Sequence, residues 1–265
     1  VKKLCAGGWQ PKEIVPDELD LFKRARRTSV KWPEKEDVTL SWNELARRLI
    51  GNSQALCILN LKKHAFAVYD ELQMLGADGL VHLSTNLCPA HRQHVLQEVR
   101  HRLDEGLPCL LVATQCVEAG VDLDFPVVYR AWGPLDAIAQ AAGRCNRNGQ
   151  LPISDVFIFR PESEGFPDKD YERAVDIVRM LGESIGWENM DIHSPEVFDR
   201  YYRMLYDFSQ PEEQNRPLRD AIIERDFVKV AEKYRLIKND AINVLVPYNL
   251  SEYERLRSEV KTRAL

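Results

Sequence analysis

Several features by which phosphate- and metal-binding chains are usually known are missing from these 265 residues. No stretch reads G-x-x-x-x-G-K-[ST], the loop whose backbone amides and lysine cradle nucleotide phosphates. No D-E-x-H block or similar magnesium-binding carboxylate motif occurs, and Gly7-Gly8 has no Gly-Lys-Ser/Thr behind it. Six cysteines are present without one C-x-x-C pair, so the paired spacing of a zinc site is absent. No apolar run approaches the roughly 20 residues that span a bilayer, and no secretory leader opens the chain. The expectation is therefore no metal, no membrane partner and a reduced cytoplasmic setting. Excess positive charge is missing too: the net charge is −5. Whole-domain nucleic-acid binders tend to be basic, so any such surface here is a local patch. Neither an internal repeat nor a low-complexity tract is found.

What is present is an ordinary globular composition, 45% hydrophobic and 29% charged. The length suits one large domain, or one domain with an accessory piece. The chain opens on Val1 rather than Met, and the expectation is a piece of a longer protein.

Apolar strand-like runs alternate with amphipathic helical stretches. Strands are predicted over 54–60, 79–83, 108–113, 126–131 and 153–159. Helices are predicted over 62–75, 89–103, 134–144 and 168–185, and one from Ser41 to Ile50 behind a Ser41/Glu44 capping box. This alternation implies a parallel sheet covered on both faces, with working loops at the carboxyl ends of the strands. Asn60, Ser84-Thr85 and Thr114-Gln115 all fall at such ends. Residues 1–40 read as mixed, with a basic cluster at Lys23, Arg24, Arg26 and Arg27. Beyond residue 190 the character changes: a helix over 197–206, a polar linker over 209–217, a hairpin over 236–246 and a charged helix over 251–263. The expected division is a main domain over 1–190 and an accessory region over 191–265, a small mixed α/β extension.

The densest chemistry lies between Val112 and Gly149. Arg144 and Arg147, three residues apart, are expected on one face of the helix after the 126–131 strand. Arginine carries a permanent charge and a planar donor fork suited to a phosphate whose charge grows during transfer. Gly120 permits a tight turn and Gly143 a close backbone approach. Asp122 and Asp124 could pair for acid/base work; Asp124 reads instead as a turn residue. His91, His94 and His101, with Glu98, share a helix face, but their spacing matches no H-E-x-x-H and a solvated face is expected. Trp42, Tyr129 and Trp132 read as core rather than base-stacking aromatics.

The blocks T-Q-x-V-E-A-G-V-D at 114–122 and P-L-D-x-I-x-Q-x-x-G-R-x-N-R-x-G at 134–149 resemble motifs V and VI of superfamily 2 helicases. With A-W-G-P-L-D at 131–136 and L-S-T-x-x-C-P-A-H-R at 83–92, the wording is similar to the CRISPR-associated helicase–nuclease of type I systems. The resemblance implies a RecA-like second helicase domain. It implies that Arg144 and Arg147 reach the ATP γ-phosphate and that Gln140 couples the nucleotide to the opposite domain. Gly120, Asp122 and Gly143 would serve the nucleotide site, Asp122 touching ribose or orienting a motif VI arginine. Thr114, Gln115, Asn60, Lys62, Ser84 and Thr85 would contact a nucleic-acid backbone. ATP and Mg2+ would be held mainly by a first RecA-like domain, and nuclease metal ions by an HD domain, neither found in this sequence. The implied partners are single-stranded DNA, the crRNA-guided surveillance complex and those two domains, in a prokaryotic cytoplasm. The chain alone is then expected to bind ATP weakly and not to hydrolyse it. Two other readings stay open at this point: another superfamily 2 DNA or RNA helicase, and a non-catalytic docking module.

Overall fold

The computed structural model describes residues 14–16, 19, 21–33, 38–209, 216–234, 244 and 246–263. Six strands form one parallel sheet: β1 Thr28–Lys31, β2 Gln54–Leu59, β3 Leu80–Leu83, β4 Cys109–Thr114, β5 Val128–Ala131 and β6 Ser154–Phe159, in the order β1-β6-β5-β2-β4-β3. Before, between and after them run α1 Leu21–Arg24, α2 Trp42–Ile50, α3 Lys62–Met74, α4 Pro89–Asp104, α5 Leu135–Ala142, α6 Lys169–Ile185, α7 Pro195–Ser209, α8 Arg216–Ile223, α9 Phe227–Lys233 and α10 Leu250–Arg263.

Side-chain alternation along the strands divides the core in two. Ala55, Cys57 and Leu59 of β2, with Leu110 and Val112 of β4, point to the face covered by α2 and α3. Leu56 and Ile58, with Leu111 and Ala113, point to the face covered by α4, α5, α6 and α7. Such two-sided burial is what near-continuous apolar runs in β2 and β4 require. The α/β parallel-sheet expectation is met. Two departures are instructive. β1, which pairs with β6 from Thr28↔Ser154 to Lys31↔Phe157, is not among the expected strands, because T-S-V-K is short and half polar. The last α5 residue is Ala142, so Arg144 and Arg147 follow the helix and do not share a helix face. The cause is a competing pairing: Phe125 N donates to Arg144 O and Asn146 N to Phe125 O, both at 2.9 Å, drawing the chain into a turn.

At the far end of the core, Met190, Ile192, Val197 and Tyr201 join the cluster under α5 and α6. Packing of α7 thus continues across the division expected at residues 190 and 191. Most of the hairpin expected over 236–246 and most of the linker over 209–217 lie outside the described residues. Among the described residues no helix is long and apolar enough to cross a membrane.

Candidate functional site

Order β5-β2-β4-β3 brings together the loops that leave the carboxyl ends of four adjacent strands. Asn60, Ser84 and Thr114-Gln115 occupy those ends, next to Trp132 and Gly133 behind β5. Lys62 and Thr85 are exposed, Gln115 is half-buried, and Asn60, Ser84 and Thr114 are buried. Lys62 opens α3, to whose amino end Leu61 supplies no side-chain cap. The Ser84 hydroxyl lies 3.0 Å from His82 Nε2 and accepts from Asn86 N at 3.3 Å. Thr114 Oγ1 faces Cys116 Sγ at 3.6 Å.

Asn60 is the hub of a buried polar network. Its Nδ2 donates to Trp132 O at 2.7 Å. Its Oδ1 accepts from Arg130 Nη1 at 2.7 Å and from the Tyr171 hydroxyl at 2.9 Å. Its backbone carbonyl accepts from Gln115 Nε2 at 3.0 Å. Arg130, 0% exposed, also donates from Nη2 to Tyr171 at 2.7 Å and pairs with Glu118 Oε1 at 2.9 Å. Burial pushes the Glu118 carboxyl up, against the opposing pull of Arg130. Glu118, Arg130 and Tyr171 carried no role in the sequence reading. The signal was there in an arginine set in the apolar run V-V-Y-R-A-W, since an ion is rarely buried without a partner.

The 114–122 and 134–149 blocks meet on the other side of Glu118. Arg144 is buried and donates from Nε to Val117 O at 2.9 Å and from Nη2 to Glu118 O at 2.6 Å. It clamps the Gln115–Val117 turn, and burial together with the neighbouring Arg147 lowers its proton affinity. Arg147 is different. Its side chain is 42% exposed and pairs through Nε with Asp122 Oδ1 at 2.7 Å. Asp124 is more than a turn residue: its carboxylate accepts from Arg147 N at 2.7 Å and Asn148 N at 2.9 Å. Asn146, at φ 47°, completes the turn through Nδ2 bonds to Arg27 O and Leu151 O. Gly120 has φ +71°, the left-handed conformation that favours glycine. Gly143 lies in the right-handed region, where an added Cβ would meet only Gln140 O at 3.3 Å and Ala139 O at 3.6 Å, so its backbone approaches nothing from another element. Gln140 is exposed. A cavity of about 570 Å³ opens beside the Arg147–Asp122 pair, lined by Arg100, Asp122, Asp124, Asn146 and Asn148. Gln54, the first β2 residue, also lines it, so it sits toward the amino ends of the strands.

The other candidates resolve as packing. Trp132 is buried between Trp32 and Trp187, and Tyr129 stacks on Phe157. His91 stacks on Tyr248, and Glu98 pairs with Arg102 at 2.6 Å. Burial raises the Cys109 thiol to about 11 and Cys145 to about 12, which keeps both protonated and unreactive.

Comparison with known proteins bears on residues 51–150, which match the family described as CRISPR-associated nuclease/helicase Cas3, C-terminal. A CRISPR-associated nuclease/helicase Cas3 of Haloferax volcanii is 57% identical over 94 residues, 33% of this chain and 10% of the relative. That of Methanothermobacter thermautotrophicus is 25% identical over 236 residues, 82% of this chain and 28% of the relative. The chain therefore spans less than a third of the length of either relative. A crystal structure of T. fusca Cas3-ATP matches with a TM-score of 0.55 at 21% identity, covering 78% of this chain and 26% of that one, a likeness of fold. Motif wording and these matches agree, and over residues 51–150 the chain is similar to the C-terminal portion of CRISPR-associated nuclease/helicase Cas3 proteins.

Proposed function

We propose that this chain is the second RecA-like half of an ATP-dependent single-stranded-DNA translocase, linked in the longer protein to a nuclease and acting on foreign DNA in CRISPR defence. The observation that supports the reading best is the meeting of two sequence blocks at Arg147 and Asp122, on the surface beside a polar cavity. A surface ion pair is worth at most about 1 kcal/mol, so Arg147 can exchange Asp122 for a more concentrated negative charge at little cost. Arg144 is already spent on two backbone carbonyls. The two arginines thus divide the work: Arg147 senses phosphate, and Arg144 holds the loop from which Asp122 projects.

ATP, with its Mg2+ held mainly by a first RecA-like domain, would supply the γ-phosphate and the energy of its hydrolysis. This chain brings Arg147 to that phosphate, while Asp122 keeps the guanidinium oriented in its absence. Gln140, exposed on α5, faces outward for contact with the opposite domain. At the carboxyl edge, Lys62, Thr85 and the uncapped amides at the start of α3 suit a phosphodiester backbone without reading sequence. Asn60, Gln115, Thr114 and Ser84 shape that edge from beneath. Closure of the two domains moves the edge along the strand, and reopening resets it. The surveillance complex, through its displaced strand, would present the DNA.

The test is ATP hydrolysis with single-stranded DNA, by this chain, by the first RecA-like half, and by the two mixed. Activity confined to the mixture is the expected result. Turnover by this chain alone would overturn the composite site.

A further inference from the structure

The exposed arginine and the exposed carboxyl edge lie toward opposite ends of the strands. A buried polar path runs from Asn60, beneath that edge, to Arg144, three residues before the exposed arginine. It runs from Asn60 to Arg130 and Tyr171, from Arg130 to Glu118, and from the Val117 and Glu118 carbonyls to Arg144. Two of its members lie outside the blocks that carry the family wording: Arg130 on β5 and Tyr171 in the first turn of α6.

We propose that Arg130 and Tyr171 are positioning residues that lock the Gln115–Glu118 turn to Asn60, so that the DNA-facing edge and the loop bearing Asp122 move as one body. The inference rests on the functional reading above. Each contact holds a different element: Asn60 follows β2, Glu118 follows β4, Arg130 belongs to β5 and Tyr171 to α6. Arg130 joins them because a guanidinium offers five donors in a rigid plane, and here its two terminal nitrogens meet four acceptors: Asn60 Oδ1, Ala131 O, Tyr171 and Glu118. The space is closely fitted. A Cβ added at Gly133 would come within 3.0 Å of the Tyr171 hydroxyl and 3.1 Å of Arg130 Nη2. Tyr171 is itself fixed by its own helix, since Asp168 caps α6 by accepting from Tyr171 N at 2.8 Å. A buried polar network tied to several elements at once restrains their arrangement. Removing a single hydroxyl leaves Asn60 and Arg130 each one partner short and lets the turn shift.

The variant is Tyr171→Phe in the intact protein, which keeps the ring and removes only the hydroxyl. The readouts are the single-stranded-DNA concentration that half-maximally stimulates ATP hydrolysis, the maximal rate, and hydrogen exchange over residues 115–118. A buried hydrogen bond to a charged group carries about a tenfold effect, so that DNA concentration should rise about tenfold. The maximal rate should stay within about twofold, and exchange over 115–118 should accelerate. Glu118→Gln, which keeps the shape and removes the charge, should shift both in the same direction. A wild-type half-saturation point with unchanged exchange in Tyr171→Phe overturns the inference and leaves the functional reading standing. Loss of maximal rate at unchanged DNA affinity overturns it also. Absence of DNA stimulation in the wild-type protein overturns the functional reading, and this inference with it.

Discussion

Arg144 and Arg147 carry the same side chain three positions apart and are held in opposite ways. Arg144 donates to two carbonyls inside the protein. Its truncation leaves Val117 O and Glu118 O without a partner, a loss of about 1–3 kcal/mol. For a chain of this size that lowers the unfolding midpoint by several degrees, at about 2–4 °C per kcal/mol. Arg147 has a half-exposed side chain and one exposed partner, Asp122 at 77%. Its truncation costs about 0–1 kcal/mol. The expected outcome is that Arg144→Ala melts several degrees below Arg147→Ala, which melts near the wild type. Equal midpoints, measured by calorimetry, would contradict the division of roles. The motif spelling alone could not separate the two arginines. It gave their spacing, and the separation comes from the Phe125–Arg144 backbone pairing, which ends the helix early.

Among the elements, the loop after β6 is tied to α6 by charge. Arg160 reaches Glu164 Oε1 at 3.2 Å, and Arg179 donates to the same carboxylate. Burial pushes the Glu164 carboxyl up, but the two arginines outweigh it and hold it below its ordinary 4.5. A carboxyl lowered in the folded state stabilises fully above its unfolded value and loses that contribution as pH falls through the folded value. Glu164→Gln should therefore lower the unfolding midpoint at pH 7, with the difference from wild type closing as the solution is acidified below 4.5. A difference that is flat with pH would argue against the pairing. The elements were mostly legible from period and punctuation: β2 and β4 from unbroken apolar runs, α2 from Ser41, whose hydroxyl accepts from Glu44 N at 3.1 Å. Glu44 itself turns to Arg48, so only half of the capping box is made. β1 was not legible, because an edge strand of four half-polar residues is defined by its neighbour β6 more than by its own sequence. Nor was the Asn60–Arg130–Tyr171 hub. Its members are far apart in sequence and meet only when β2, β5 and α6 pack.

At the scale of the whole molecule, the sheet sets two polar regions apart: an edge with Lys62 and Thr85 at the carboxyl ends, and a cavity beside the Arg147–Asp122 pair toward the amino ends. A net charge of −5 favours the form of the proposal in which the chain contributes part of a DNA path rather than the whole of it. The central claim is that Arg147 completes a nucleotide site supplied mostly by another domain. The most direct measurement is DNA-stimulated ATP hydrolysis by the intact protein carrying Arg147→Ala, alongside its melting temperature. The expected result is a fall of about a thousandfold or more with the fold intact, the scale of a lost arginine finger. Near-normal turnover in that variant would contradict it.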